Sequence, residues 1–193
     1  MGPAGRIRGS LRECRAACYA RPSMGGDPEP RPASASSVVL ARQMETPDAN
    51  VAGNVHGGSV MKMVDTAAGL AAVKHCGGLA VTAAMDEMTF LEPVYLGDVV
   101  TVKAQVNEAF TTSMEVGVRV EAEDVTTGRR VHTSSAYLVF VALDRDGKPR
   151  AVPPVLAENE EERQRQREAK LRREARLARK TAIDDARRAK GEL

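Results

Sequence analysis

The most constraining stretch of the chain is residues 57 to 76, GGSVMKMVDTAAGLAAVKHC, brought to an end by Gly77 and Gly78. Wound as a helix, Met61, Met63, Val64, Ala67, Ala68, Leu70, Ala71, Ala72 and Val73 leave no wide polar face, so it has to be covered on nearly every side. A segment of this length is roughly enough to cross a bilayer at about 1.5 Å per residue. Lys62, Asp65, Lys74 and the many Ala and Gly argue instead for a helix buried inside a globular protein. Asp65, its one carboxylate, is then a charge in apolar surroundings and needs a reason to be there.

On either side of this segment the apolar period changes from helical to two. Residues 38 to 44, VVLARQM, read as a strand that ends in the turn formers of ETPDANVAGN. Residues 80 to 91 form a long strand closed by Glu92 and Pro93. After a turn at Gly97 and Asp98, Val100, Val102, Ala104 and Val106 alternate with Thr101, Lys103, Gln105 and Asn107. Met114, Val116, Val118, Val120 and Ala122 then alternate with Glu115, Arg119, Glu121 and Glu123, and TTGRR makes a hairpin turn. The two alternating strands each have one polar face and read as half exposed. Residues 131 to 143 differ, because AYLVFVAL is apolar on both faces and belongs centrally in a sheet or against another subunit. The order implies an α+β fold: an antiparallel sheet of five to six strands wrapped around one long central helix.

Composition narrows the setting. The chain has 193 residues, 42% of them hydrophobic, which suits one ordinary domain with some polar sequence to spare. Its 28 Lys and Arg against 26 Asp and Glu give a formal charge of +2, little support for binding nucleic acid or a membrane surface. Cys14, Cys18 and Cys76 form neither a disulfide framework nor a zinc set, so we expect a reduced, cytoplasmic protein without a metal. Residues 1 to 37 read as a disordered leader; the basic start up to Arg21 faintly resembles a transit peptide, and an over-long start before Met24 is the plainer account. The folded domain is expected over 38 to 156 and a charged helix with a tail over 157 to 193. In that helix Asn159 and Glu162 have cap spacing, and Glu161 with Arg165 and Glu168 with Arg172 stand at i, i+4. Only Leu171, Leu177 and scattered Ala have anything to bury there, so it is expected to be solvated.

On the central helix Asp65 shares a face with Met61, Ala68, Gly69 and Ala72, three of them very small, which leaves room for a ligand beside the carboxylate. Desolvation at such a place disfavours the charged form, raises the pKa and makes a carboxylate a useful general base. The competing account is that Asp65 pairs with Lys62 or a nearby backbone group and merely settles its own burial. Just upstream, His56, Gly57 and Gly58 put unencumbered amides at the helix start, where an anion or a carbonyl gathering negative charge is favoured. Asn50, one loop earlier, supplies an amide to hold a water or a carbonyl. A base, oxyanion donors and a positioning amide are what acyl transfer to water needs.

The segments PDANVAGNVHGGSVMKMVDTAAGLAAVKHC, FLEPVYLGDVV and VALDRDGKPRAVPPV resemble the hotdog-fold acyl-CoA thioesterases, specifically the cytosolic brain-type acyl-CoA hydrolases and their bacterial single-domain relatives, over about residues 38 to 175. The resemblance implies that Asn50 and Asp65 act together from different subunits, with Gly57 and Gly58 near the thioester carbonyl. Both stand in one hotdog domain here, as in the bacterial homo-oligomers, so each dimer is expected to hold two equivalent sites and to assemble as a trimer of dimers. Asp65 is then the base on a water, Asn50 orients water or carbonyl, and the Gly58 amide stabilises the oxyanion, with no cofactor beyond the CoA of the substrate. Helix spacing makes Met61, Ala68, Gly69 and Ala72 the border of the acyl channel. His56 is either a second base or a loop-bonded residue beside the substrate; His75 is assigned to the helix dipole and Cys76 to packing. Arg129, Arg130, Lys148 and Arg150 are candidates for the CoA phosphates. Two other classes stay open: a hydratase or dehydratase using His56 with Asp65, and a non-catalytic acyl-CoA sensor.

Overall fold

The structure, a computed structural model, describes residues 28–190, so the expectations for residues 1–27, including Cys14 and Cys18, lie outside the described residues. In chain order the elements are β1 (Arg31–Pro32), β2 (Val38–Gln43), α1 (Gly57–Cys76), β3 (Ala80–Phe90), β4 (Val99–Ala109), β5 (Ser113–Glu123), β6 (Arg130–Ala142), β7 (Val155–Leu156) and α2 (Glu160–Ala189). Five strands make one antiparallel sheet in the order β2-β4-β5-β6-β3, while β1 and β7 pair in parallel beside it. The alternating residues of β4 and β5, with Ala136, Leu138, Phe140 and Ala142 of β6, form one buried row set. Against it α1 lays Val60, Val64, Ala67, Ala68, Ala71 and Ala72. Small helix residues against branched strand residues allow close approach, and each buried valine contributes about 1.5–3 kcal/mol.

The helix ends where its glycines are. Gly77 takes a left-handed φ of 67°, which a residue with a side chain adopts only at a cost, and its amide donates to Val73 O at 2.9 Å. Two arginines then cover the terminal carbonyls: Arg31 Nη1 donates to His75 O and Arg150 Nη2 to Cys76 O, both at 2.7 Å. Positive charge there also complements the helix dipole.

Four expectations need correction. Residues 31 to 36 are not part of a disordered leader. Arg31 caps α1, its amide donates to Pro154 O at 2.9 Å, and the buried Ser36 hydroxyl accepts the Val106 amide at 2.9 Å beside a bulge in β4. A buried strand amide without that partner is costly, which ties the segment down. Nor is α1 covered nearly all round: Met61 is 40% and Leu70 45% exposed, and Lys62, Asp65 and Thr66 are exposed beside them. The sheet reaches one side of the helix only, and β3, the strand at that edge, bares Val81 at 41%.

The third correction concerns α2. Glu115, expected on a solvated strand face, is 1% exposed because α2 lies over it. Arg172 donates to it through Nη2 at 2.7 Å and Nε at 3.1 Å, and the buried Asn107 donates from Nδ2 at 3.0 Å. A side chain on Gly117 would meet Asn107 Nδ2 at 2.6 Å, so the glycine makes room for this amide. The Arg172 guanidinium also stacks 3.6 Å from the centre of the Tyr137 ring, and Arg173 4.6 Å from that of Phe110. Lys170 to Glu108, Gln105 to Glu162 and Arg176 to Asp86 complete the seam, after which the helix is exposed. The helix docks through charge and aromatic stacking rather than through leucines.

Last, His75 is no dipole cation. It is buried, its Nε2 donates to Pro153 O at 2.8 Å, and Nδ1 has no partner among the described residues. Burial pushes its pKa below the ordinary imidazole value of 6.5 and outweighs the Pro153 hydrogen bond, and nearby Arg31 acts in the same direction as burial. The neutral ring therefore belongs to the folded state. Above 6.5 its contribution to stability is complete; as pH falls from there through the lower folded value, the unfolded chain takes a proton the native one refuses, and stability is lost.

Two measurements follow. Denaturation in urea at about pH 7.5 and pH 5.5 loses more stability for the wild type than for His75→Gln; equal losses remove His75 from the account. Arg172→Met leaves the Glu115 charge buried without its counter-ion and costs about 3 kcal/mol, while adding Glu115→Gln recovers much of it.

Candidate active site

The loop before α1 is closed by its own backbone. Thr46–Asp48 form one 3-10 turn capped reciprocally by Glu45 and Asp48, and Arg42 Nη2 donates to Asp48 Oδ1 at 2.6 Å. The His56 amide donates to Asp48 O at 2.7 Å, and Ala49 bridges Val55 while Asn54 bridges Tyr95. Inside this loop Asn50 Oδ1 accepts the amides of Ala52 and Asn54 at 2.9 and 3.2 Å. Its acceptor is used up locally; its Nδ2 donor has no partner among the described residues, so it stands ready for an external oxygen.

At the first turn of α1, His56 is the N-cap, and its Nδ1 accepts the Gly58 amide at 2.8 Å. Accepting at Nδ1 puts the ring proton of a neutral imidazole on Nε2. The two glycines have separate steric reasons. A Cβ on Gly58 would lie 2.9 Å from His56 Nδ1, and one on Gly57 would lie 3.4 Å from Cζ of Phe90. The Gly57 amide has no partner among the described residues, whereas the Gly58 amide, expected to be free, is held by His56 until the ring turns away. Among the donors expected at the helix start, Gly57 is the one open now.

Asp65 lies two turns further along, about 12 Å down the axis from Gly57 at 1.5 Å per residue. It is exposed, not buried, on this protomer. The carboxylate is not paired with Lys62; Thr82 Oγ1, at the start of β3, donates to Asp65 Oδ1 at 2.7 Å. Of the residues expected to border an acyl channel, Met61 stands at the surface with Asp65, but Ala68 and Ala72 are fully buried against the sheet, and a Cβ on the half-buried Gly69 would touch Phe140 at 3.6 Å. The helical face that carries Asp65 is wide enough for the sheet to take part of it. No contact among the described residues joins Asn50 or His56 to Asp65. Arg150, with Nη2 on Cys76 O and Nε on Leu143 O, sits about 27 Å along the helix from Gly58. Arg130 is paired with Glu123 in the β5–β6 turn. Among the described residues no group of three or more His, Cys, Asp or Glu is placed to hold a metal ion.

Nothing in the sequence marks Thr82 as part of the site. Alternation says which face of a strand a threonine occupies, and nothing local says that this one meets a carboxylate seventeen positions earlier.

An antiparallel sheet carrying one long helix, with an open amide donor at the helix start and a surface carboxylate at its middle, is the architecture of a hotdog thioesterase. The Thioesterase superfamily model matches residues 52–129. The acyl-CoA thioester hydrolase YkhA of Bacillus subtilis, itself uncharacterized, is 40% identical over 135 residues, 70% of this chain and 78% of that one. The mouse cytosolic acyl coenzyme A thioester hydrolase is 35% identical over 76% of this chain, which spans only 39% of that longer protein. Among solved structures, an apo-hexameric acyl-CoA thioesterase is 36% identical with a TM-score of 0.76, covering 78% of this chain and 97% of its own. An acyl-CoA hydrolase of Staphylococcus aureus, solved with butyryl coenzyme A and coenzyme A, is 35% identical with a TM-score of 0.76, covering 83% and 98%. The chain belongs to the thioesterase superfamily and, within it, to the hotdog acyl-CoA thioester hydrolases. The Staphylococcus aureus enzyme has also been solved with an Asn, an Asp and a Thr each replaced by Ala; its Asp follows the Asn by fifteen positions and its Thr follows the Asp by seventeen. Asn50, Asp65 and Thr82 have the same spacing.

The cap at Gly58 is open to a direct check. Gly58→Ala forces the His56 ring off its Nδ1 contact and lowers thermal stability by about 1 kcal/mol. Adding His56→Ala to that variant costs little more, because both changes remove one interaction.

Proposed function

We propose that this acyl-CoA thioester hydrolase completes its active sites between protomers, with Asp65 of one copy facing Asn50 and the α1 start of another. The observation that carries the reading is the position of Asp65: exposed, oriented by Thr82, on a bare flank and far along the helix from the oxyanion donors of its own chain. With Thr82 on Oδ1, the other carboxylate oxygen is turned to a water. That water gives its proton to Asp65 as its oxygen adds to the thioester carbonyl carbon. Negative charge gathers on the carbonyl oxygen, which accepts from the Gly57 amide and, once His56 turns aside, from Gly58. Asn50 Nδ2 orients the water or the carbonyl. Collapse of the adduct breaks the C–S bond, CoA leaves as thiolate and takes the proton that Asp65 holds, which restores the base, and the free carboxylic acid remains. The steps draw on no cofactor or metal.

The free edge of β3, with Met61, Leu70 and Val81 beside it, is the surface a second copy covers, giving a dimer with two equivalent sites. Three such dimers make the assembly, in line with the hexameric relative. Met61 and Gly69 then border the substrate with His56. Arg150 serves CoA phosphates only for a neighbouring copy's ligand, alongside Arg129, Arg130 and Lys148. The cytoplasm is the proposed compartment; among the described residues no helix is long and apolar enough to cross a membrane.

Thiol release from an acyl-CoA tests both chemistry and assembly. Asp65→Asn and Asn50→Ala each lower the rate at least a hundredfold with the circular dichroism spectrum unchanged. When the two variants are unfolded together and refolded as a mixture, mixed dimers hold one intact site, and activity returns to roughly a quarter of wild type. No recovery means that the two residues serve within one chain.

A further inference from the structure

The floor beneath the first turn of α1 contains a hydroxyl without a partner among the described residues. In the sheet register Ser134 of β6 lies opposite Val120 of β5 on one side and Phe90 of β3 on the other, one step beyond the pair Ala136 and Met88. Paired residues share a face, so Val120, Ser134 and Phe90 form a row turned toward α1. Phe90 shows the direction directly, since its ring tip reaches the Gly57 backbone. Ser134 is 0% exposed, and its Oγ has no hydrogen-bond partner among the described residues. Leaving a buried hydroxyl unpaired costs about 1–3 kcal/mol, and valine or alanine would fill the position without that loss. A free hydroxyl and the free Gly57 amide therefore lie at the same end of the fold, where the helix dipole adds positive potential. Phe90 stands between them, and on the single protomer 48% of its surface is exposed.

We propose that Ser134 is a specificity-determining residue: with the Phe90 ring turned aside, its hydroxyl donates to an oxygen on the acyl group, so that the site favours acyl-CoAs oxygenated at the β carbon, 3-oxo or 3-hydroxy, over plain alkanoyl-CoAs. The proposal rests on the thioester carbonyl being held at the start of α1, as argued above. The carbonyl oxygen takes the Gly57 amide, and the second oxygen, two carbons along, takes Ser134. A plain acyl chain leaves the hydroxyl unpaired, which is the physical source of the discrimination.

The test compares kcat/KM for acetoacetyl-CoA, 3-hydroxybutyryl-CoA and butyryl-CoA, using the full chain in wild-type and Ser134→Ala forms. The wild type favours the oxygenated substrates roughly tenfold. Ser134→Ala brings that ratio toward one while keeping butyryl-CoA turnover within about twofold. Ser134→Cys, nearly isosteric but a weak donor, gives the same loss and guards against a folding defect in the alanine variant. A ratio unchanged in both variants, with butyryl-CoA still hydrolysed, overturns the role of Ser134 and leaves the thioesterase reading intact. Hydrolysis of none of the three by the wild type overturns both.

Discussion

The seating of α1 on the sheet determines where every reactive group stands. Ala67, Ala68, Ala71 and Ala72 bring the helix axis close to the valine rows of β4 and β5, and a larger side chain at any of them would lift it away. Once seated, a straight helix holds its start and its middle at a fixed separation. The donors at Gly57 and Gly58 and the carboxylate of Asp65 are then too far apart to act on one thioester from the same chain, since a reacting carbonyl and its attacking water must lie within a few ångströms, about 3–3.5 Å. On the proposed mechanism, the packing that stabilises the protomer is also what leaves Asp65 to find its partners on a neighbouring copy.

Both ends of α1 are fixed by groups from outside the helix. At the start, the His56 cap, the Phe90 ring over Gly57 and the closed loop around Asn50 bind the helix to β3 and to the segment after it. At the finish, Arg31 and Arg150 approach from opposite ends of the chain to meet consecutive carbonyls. Because β1 pairs with β7, these two capping segments also hold each other, and the C-terminal carbonyls of α1 are satisfied without water. A helix pinned in this way resists sliding, and a slide of one residue would carry Asp65 past Thr82.

The fold was legible in the sequence because it depends on period and punctuation. Alternation over Val100 to Val106 and Met114 to Ala122 marks strands wherever they occur, and Gly77 with Gly78 stops a helix in any context. What stayed hidden was whatever one element does to another at long range. Glu115 has the alternation of a solvated residue, and only Arg172, which arrives much later in the chain, makes it buried. Arg31 and Ser36 sit in a stretch whose composition reads as disordered, yet each answers one unsatisfied backbone group elsewhere. In the site, Asn50, Gly58 and Asp65 stood out because their chemistry is unusual for their surroundings and their order matches a known family. Thr82 is an ordinary strand residue until the helix is laid beside it. Ala68 and Ala72 were assigned to open space because a helical wheel shows which residues share a face without showing what that face meets.

The bare flank of α1 and the exposure of Asp65 have one cause and require one remedy. A carboxylate in contact with bulk water has its lone pairs hydrated, and to take a proton from one chosen water it has to give up most of that shell. Thr82 orients a single oxygen, which sets direction but excludes no solvent. Among the described residues nothing else is near enough to do so, because the sheet ends at β3 and Met61, one turn before Asp65 on the same face, is apolar and exposed. Apolar surface next to the carboxylate proposed as the base is poorly suited to water and well suited to a second protein surface or an acyl chain, either of which removes the hydration that a base at Asp65 has to lose. On the proposed function, covering the flank stabilises the assembly and activates the base in the same step, and a version of this chain with a polar flank would forfeit both.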